Sequence, residues 1–255
     1  GVYGLKPTHG TTDGTGILPL QLYFDTLGYM ARDVEDIQHF YGIVSGASKL
    51  EQWPNETAPK IGVCHTHQWD FAERESRQAL HETAEQFARN GAQVEHFSLP
   101  EAYAELVAVH RCVLYHGISR SLSDDYKNNK SLMSEGLIGV IEEGLAYSEE
   151  QFSAAFAIAE RSRGSINECF GEVDAIMCPS APGEAPLGHE TGSPIFQVSW
   201  TLLGVPCLNL PMGIGPRGLP LDVQLIGPRY HDSSLPALGN DLMQRIQPLE
   251  ISAPR

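Results

Sequence analysis

The sequence predicts an α/β chain, a mixed β-sheet covered by helices, and three observations carry that prediction. Residues 60–99 read as strand, helix and strand, the unit from which helix-covered sheets are built. Residues 174–179 (DAIMCP) form an apolar run that ends at a proline and opens into a long irregular segment. Two further strand-like runs and a helix occupy 206–246. In α/β proteins, irregular segments that follow strand ends are where binding loops sit.

The elements follow in order. Thr8, Gly10, Thr11, Thr12, Gly14, Thr15 and Gly16 make 8–20 a loop. Over 32–44, Val34, Ile37, Tyr41 and Val44 recur at helical spacing. Ser45, Gly46, Ser48, Pro54, Asn55 and Pro59 make 45–59 a surface linker. The apolar run 60–64 (KIGVC) reads as a buried strand. Over 73–89, Ala79, Leu80, Ala84, Phe87 and Ala88 share one side, and Gly91 is placed to stop the helix. Residues 93–99 (QVEHFSL) alternate as a second strand. A helix is expected over 101–123, carrying Tyr103, Leu106, Val107, Val109 and Val113. Another is expected over 148–170, capped by Ser148 and with Glu149 and Glu150 suited to its positive end. After strand 174–179 come the Pro/Gly-rich loop 180–194, a short helix at 196–203, strands at 206–210 and 221–226, and a helix at 234–246.

Seventeen Lys and Arg stand against 32 Asp and Glu, a formal net charge of −15. Such a surface repels phosphate backbones and no basic run interrupts it, so nucleic acid is excluded as a direct ligand. The five cysteines, at 64, 112, 169, 178 and 207, include no CxxC pair and read as reduced thiols of a cytoplasmic protein. No stretch approaches the roughly 20 apolar residues of a membrane helix, and no membrane partner is expected. The chain opens on Gly1-Val2-Tyr3-Gly4-Leu5, already apolar, whereas domain ends are usually polar and loosely held. The expectation is therefore an upstream half ahead of Gly1, with a processed terminus as the alternative. A terminal glycine excludes a self-activating terminal nucleophile.

No GxSxG is present. Gly164-Ser165-Ile166 lies inside the helical run 148–170, which makes Ser165 a helix-surface residue and not a nucleophile. His65-Thr66-His67 places two imidazoles on one side of an extended segment but lacks a third ligand, so no metal is expected. His189, beside Glu190 in the Pro/Gly loop, is a candidate to touch substrate. Asp124-Asp125 and Glu142-Glu143 read as solvated faces. Gly213-Ile214-Gly215 lacks dinucleotide spacing and reads as a turn, so no cofactor is expected.

Three stretches resemble the amidase signature family. GVYGLKPTHG (1–10) is similar to the segment that follows the family's Gly-Gly-Ser nucleophile loop, with Lys6-Pro7-Thr8 intact. DTLGYMARDVEDI (25–37) matches its Asp-Thr-x-Gly-Pro-x-Ala-Arg-x-Val-x-Asp run at Asp25, Thr26, Gly28, Ala31, Arg32, Val34 and Asp36. DAIMCPSAPGEAP (174–186), with GVPCLNLPMGIGPRGLPLDVQLIG (204–227), resembles its closing loop and ending. Three positions depart from the pattern. Tyr29 replaces a Pro, Thr201 an Asn, and Asp222 a Gly, which argues for a divergent substrate pocket.

The resemblance implies the amidase signature fold, present as its carboxyl-terminal portion, with 1–255 as part of one domain. It implies cleavage of a small-molecule carboxamide by a Ser–cis-Ser–Lys triad, with no cofactor and no metal. All three triad members would lie upstream of Gly1, and Lys6 belongs to the Lys-Pro-Thr triplet, so no catalytic residue is carried over. Loop 179–186 and segment 196–201 would flank the substrate's acyl side, giving Ser180, Pro182, Phe196, Trp200 and Thr201 as substrate-binding candidates. Phe196 and Trp200 suit an apolar wall or plain core. Arg32 and Asp36, four apart, read as a helical ion pair or, by the resemblance, a buried structural one. The implied partner is the missing amino-terminal half, or a second copy through self-association. Two other readings remain: the amide-cleaving component of a tRNA-dependent amidotransferase, and a non-catalytic scaffold.

Overall fold

A computed structural model of the chain describes residues 1–46, 51–54 and 57–246. Its strands are β1 (Tyr3–Lys6), β2 (Tyr29–Ala31), β3 (Lys60–Cys64), β4 (Gln93–Phe97), β5 (Ala175–Pro179), β6 (Cys207–Ile214) and β7 (Pro220–Ile226). They form one sheet in the order β2-β1-β6-β7-β5-β3-β4. β3 runs parallel to β4 and β5, and the remaining neighbours are antiparallel. The mixed sheet expected from the sequence is therefore present.

Around it lie α1 (Val34–Ser45), α2 (Arg74–Arg89), α3 (Leu106–Ser121), α4 (Ser123–Asn129), α5 (Glu135–Ala146), α6 (Glu149–Cys169), α7 (Val198–Leu203) and α8 (Ser234–Arg245). Successive strand residues point to opposite faces, so the sheet separates two cores. Leu5, Ile61, Met177, Leu208 and Leu225 join Ile37, Leu80 and Leu238 on one side, under α1, α2 and α8. Ile176, Cys178 and Ile226 join Val113, Ile166 and Leu202 on the other, under α3, α6 and α7. Among the described residues, no helix is long and apolar enough to cross a membrane.

Local chemistry sets the boundaries. Ser148 and Gln151 form a reciprocal capping box at the start of α6, with bonds of 3.1 and 2.9 Å. Asp33, not Arg32, begins α1: its extended backbone lets the carboxylate accept from Asp36 N–H at 2.7 Å. Arg32 thus precedes the helix, and the i,i+4 pairing read for Arg32 and Asp36 does not form on a helical face. Gly91, at φ +96°, turns the chain after α2 where a Cβ would be strained. Asp174 clasps the start of β3, accepting from Lys60 N–H and donating its own N–H to the Lys60 carbonyl, both at 2.8 Å.

Four features differ from the sequence expectation. β1 and β2 are strands where the sequence pattern shows a loop or no element. The helix expected over 101–123 is a single 3₁₀ turn (Glu101–Tyr103) followed by α3. α4 and α5 fill the stretch between the two expected helices; a Cβ at Gly144 of α5 would run into the Tyr115 carbonyl, which is how closely α5 crosses α3. β6 continues past Pro211 to Ile214 by way of an irregularity between Pro211 and Gly213, which accommodates a residue with no N–H to give. Residues 47–50 and 55–56 of the linker read over 45–59 lie outside the described residues.

Candidate active site

A cavity of about 290 Å³ opens on the sheet face above β1, β6 and β7. β1 contributes Gly4, Leu5 and Lys6 to its walls, and Gly28, Tyr29 and Met30 come from β2 and the residue before it. Ser180 follows β5, and Gln197 and Thr201 come from the turn into α7 and from α7 itself. The floor carries Cys207, Asn209 and Gln224. Antiparallel register explains their grouping: Gly4 faces Asn209 and Lys6 faces Cys207 across β1–β6, while Asn209 faces Gln224 across β6–β7.

The carboxamides of this cavity are held by backbone. Gln224, 3% exposed, donates from Nε2 to the Pro179 carbonyl at 2.9 Å and the Phe196 carbonyl at 3.0 Å. Asn209 donates from Nδ2 to the Val2 carbonyl at 3.1 Å and to Asp222 Oδ2 at 3.2 Å. Gln197 donates to the Ser180 carbonyl. Lys6 turns its ammonium to the carbonyls of Pro7 (3.0 Å) and Val205 (2.5 Å). Burial pushes the Lys6 pKa down, against the pull of Cys207 and Asp232. Burial raises the Cys207 thiol and the Asp222 carboxyl, the latter opposed by the Asn209 hydrogen bond.

Of the sequence candidates, Ser180 and Thr201 line the cavity. Pro182 lies outside the wall, and its carbonyl accepts from the Glu73 N–H at 2.7 Å where α2 begins. Phe196 and Trp200, 2% and 1% exposed, are not among the cavity's lining residues, and Trp200 packs in the core under α6 and α7. Their burial fits the core alternative that their apolar character left open. Asn209, Gln224 and Gln197 were not singled out from the sequence. For Asn209 and Gln224 a signal was available: an amide at an inward position of an apolar strand (CLNLP, LDVQLI) needs partners for its N–H groups.

The loop after Ser180 is fastened at a second point. Glu184, its side chain 2% exposed, accepts from Arg217 Nε at 2.7 Å and from the backbone N–H groups of Arg217 (3.0 Å) and Leu219 (2.9 Å). Burial pushes its pKa up, but the guanidinium and the two N–H bonds outweigh this and hold it below the usual carboxylate value.

The remaining candidates lie elsewhere. Ser165 sits within α6, its hydroxyl 3.4 Å from both the Ser162 carbonyl and the Tyr103 hydroxyl, as a helix residue would. His65 stacks on Trp69 with ring centroids 3.9 Å apart, and His67 pairs with the Pro100 carbonyl. Among the described residues, no group of three His, Cys, Asp or Glu side chains is placed to hold a metal ion. His189 and Glu190 are exposed in the loop.

The family model described as Amidase matches residues 1–235. A glutamyl-tRNA(Gln) amidotransferase subunit of Pelagibacter ubique is 24% identical over 97% of this chain and 60% of its own length. The corresponding protein of Lactiplantibacillus plantarum is 26% identical over the same shares. Among solved structures, an amidase superposes with a TM-score of 0.87 at 28% identity, covering 97% of this chain and 59% of the other. A 6-aminohexanoate cyclic dimer hydrolase matches in fold, with a TM-score of 0.76 at 19% identity over 96% of this chain and 60% of its own. The chain thus spans about three fifths of the length of the relatives it matches.

Proposed function

Because the chain belongs to the amidase family, we propose that it is the carboxyl-terminal portion of one amidase domain cleaving the C–N bond of a small carboxamide. One observation carries this reading: the three family-like stretches, far apart in sequence, supply walls of a single cavity. The first brings Gly4 to Lys6, the second Tyr29 and Met30, the third Ser180, Asn209 and Gln224. A hollow with a largely apolar surface and several convergent polar groups is the usual form of a small-molecule site. In this reading, the nucleophilic Ser, the relaying cis-Ser and the Lys base belong to a segment ahead of Gly1. Lys6 supports that assignment, since its ammonium is committed to two carbonyls. This chain supplies scaffold and pocket, with Ser180 and Thr201 touching substrate and Pro182, Phe196 and Trp200 holding the wall from behind. Neither cofactor nor metal enters the reaction, and its five free thiols suit a cytoplasmic setting.

Purified 1–255 is expected to hydrolyse no simple aryl or alkyl amide, and Ser165→Ala to change nothing. Turnover by 1–255 that Ser165→Ala abolishes would overturn the assignment of the triad to another segment. The same preparation is expected to associate, either with the missing half or with itself. Met30 on edge strand β2 is 81% exposed, and Leu18 and Leu22 are 83% and 74% exposed; exposed apolar side chains and unpaired strand edges drive association. Light scattering that returned a monodisperse 27.9 kDa species would count against it.

A second reading follows from the curated relatives, which bear the name of a tRNA-dependent amidotransferase component. In it, the amide cleaved is glutamine's and the ammonia passes to a partner protein. The charge of −15 and the departures at Tyr29, Thr201 and Asp222 favour the first reading.

A further inference from the structure

The three departures from the family pattern gather at one place. Tyr29 and Thr201 line the cavity, and Asp222 lies just behind its floor, bonded to Asn209. Hydrogen-bond chemistry then fixes which end of each floor amide meets a ligand. Val2 O and the Asp222 carboxylate only accept, so the Asn209 nitrogen must occupy that end and its Oδ1 the other. Pro179 O and Phe196 O likewise hold the Gln224 nitrogen and leave Oε1 for the cavity. Asn209 and Gln224 are directly opposed across β6–β7, so the two amides stand side by side on the face that lines the cavity. Reversing either amide would set an oxygen against two acceptors.

We infer that this cavity selects a short aliphatic molecule carrying a primary N–H head, an ammonium or a carboxamide NH₂, through the amide oxygens of Asn209 and Gln224. Asp222 is a positioning residue: it holds the Asn209 amide with its oxygen inward. A carboxylate head meets two oxygens and no amide hydrogen there, and is rejected. This selectivity rests on the reading that the cavity receives substrate.

The test uses the 255-residue chain and four probes of one size: butanamide, n-butylammonium, butanoate and n-butanol. Side-chain amide resonances of Asn209 and Gln224 report where each binds, and titration gives its Kd. Butanamide and n-butylammonium should shift both resonances and bind about tenfold more tightly than butanoate, as two hydrogen bonds of ordinary net strength would give. Asp222→Ala frees Asn209 to reverse, so the preference should shrink to about threefold or less. Asn209→Val removes one oxygen and should shrink it similarly, while Gln224 keeps its partners. A ratio of affinities within one protein is insensitive to a general loss of stability, and thermal unfolding checks that each variant folds. Butanoate or butanol binding as tightly as the N–H probes would overturn the selectivity and leave the cavity reading standing. If no probe shifts either resonance, both fall. An unchanged ratio in both folded variants would remove Asp222 and Asn209 from the proposal.

Discussion

Replacing Gln224 by Leu is expected to lower stability by about 4 kcal/mol and Tm by roughly 8–16 °C. The size of the effect comes from what is left behind and not from the leucine. Gln224 is 3% exposed, and its Nε2 is a donor to two main-chain carbonyls from different segments, Pro179 at the end of β5 and Phe196 before α7. Leucine fills the volume but offers neither carbonyl a hydrogen, and each buried, unpaired polar group costs about 1–3 kcal/mol. The carbonyls cannot easily turn to water, because Phe196 is itself 2% exposed and Pro179 is held in the β5–β7 ladder. Gln224→Glu should be at least as damaging, since it aims a carboxylate oxygen at two acceptors. Thermal unfolding of both variants followed by calorimetry settles the point; a Tm within about 2 °C of the parent for Gln224→Leu would mean that these carbonyls find other donors.

The second large effect is one of pH. His110, packed against Phe24 with ring centroids 4.7 Å apart, is buried enough that its pKa falls from 6.5 to about 4. Desolvation is the cause: the charged ring loses water and gains no partner in exchange. The sign follows from linkage. Below the ordinary histidine value, the unfolded chain takes up a proton that the folded chain refuses. Stability contributed by the neutral ring is therefore complete above pH 6.5 and declines as pH falls towards 4. A gap of that width, at about 1.36 kcal/mol per pH unit, amounts to about 3 kcal/mol. Burial also lowers His9 and His65, so the parent's slope is not His110's alone. Comparison with His110→Phe isolates it. Urea midpoints measured at pH 7 and pH 4.5 should fall much less in the variant, and parallel curves for the two proteins would refute the assignment.

Much of the fold was legible in the sequence, for physical reasons that individual elements make plain. β3 and β5 are apolar runs bounded by linkers or proline, and α2 and α6 carry long periodic faces with caps or stops at their ends. β1 and β2 were not legible: four and three residues long, one containing Gly4, they owe their extended form to β6 and to each other. α5 was hidden by Gly136, Gly139 and Gly144, which lower helix propensity locally; Gly144 answers to a neighbouring helix that no local pattern records. The site divides in the same way. Ser180 and Thr201 come from the resemblance of their two stretches to the amidase signature family, whereas Asn209 and Gln224 depend on register between two strands. Trp200 was ambiguous because an indole serves a wall and a core equally well until the orientation of α7 is known.

The position of β1 inside the sheet bears on the order in which the chain can assemble. Its β2 neighbour is close in sequence, and the β3–α2–β4 unit closes over fewer than 40 residues. The other edge of β1 pairs with β6, and the bond from Asn209 to the Val2 carbonyl spans 207 residues. On the ribosome, this edge of β1 has no partner strand until β6 has emerged. β6 in turn finds β7 by a short hairpin, so the β6–β7 ribbon arrives as a unit and slots between β1 and β5. Closing so long a loop carries a large entropic barrier before any contact rewards it. The floor of the cavity thus rests on the pairing of greatest sequence separation in this part of the sheet, and Asn209 and Gln224 belong to one hairpin.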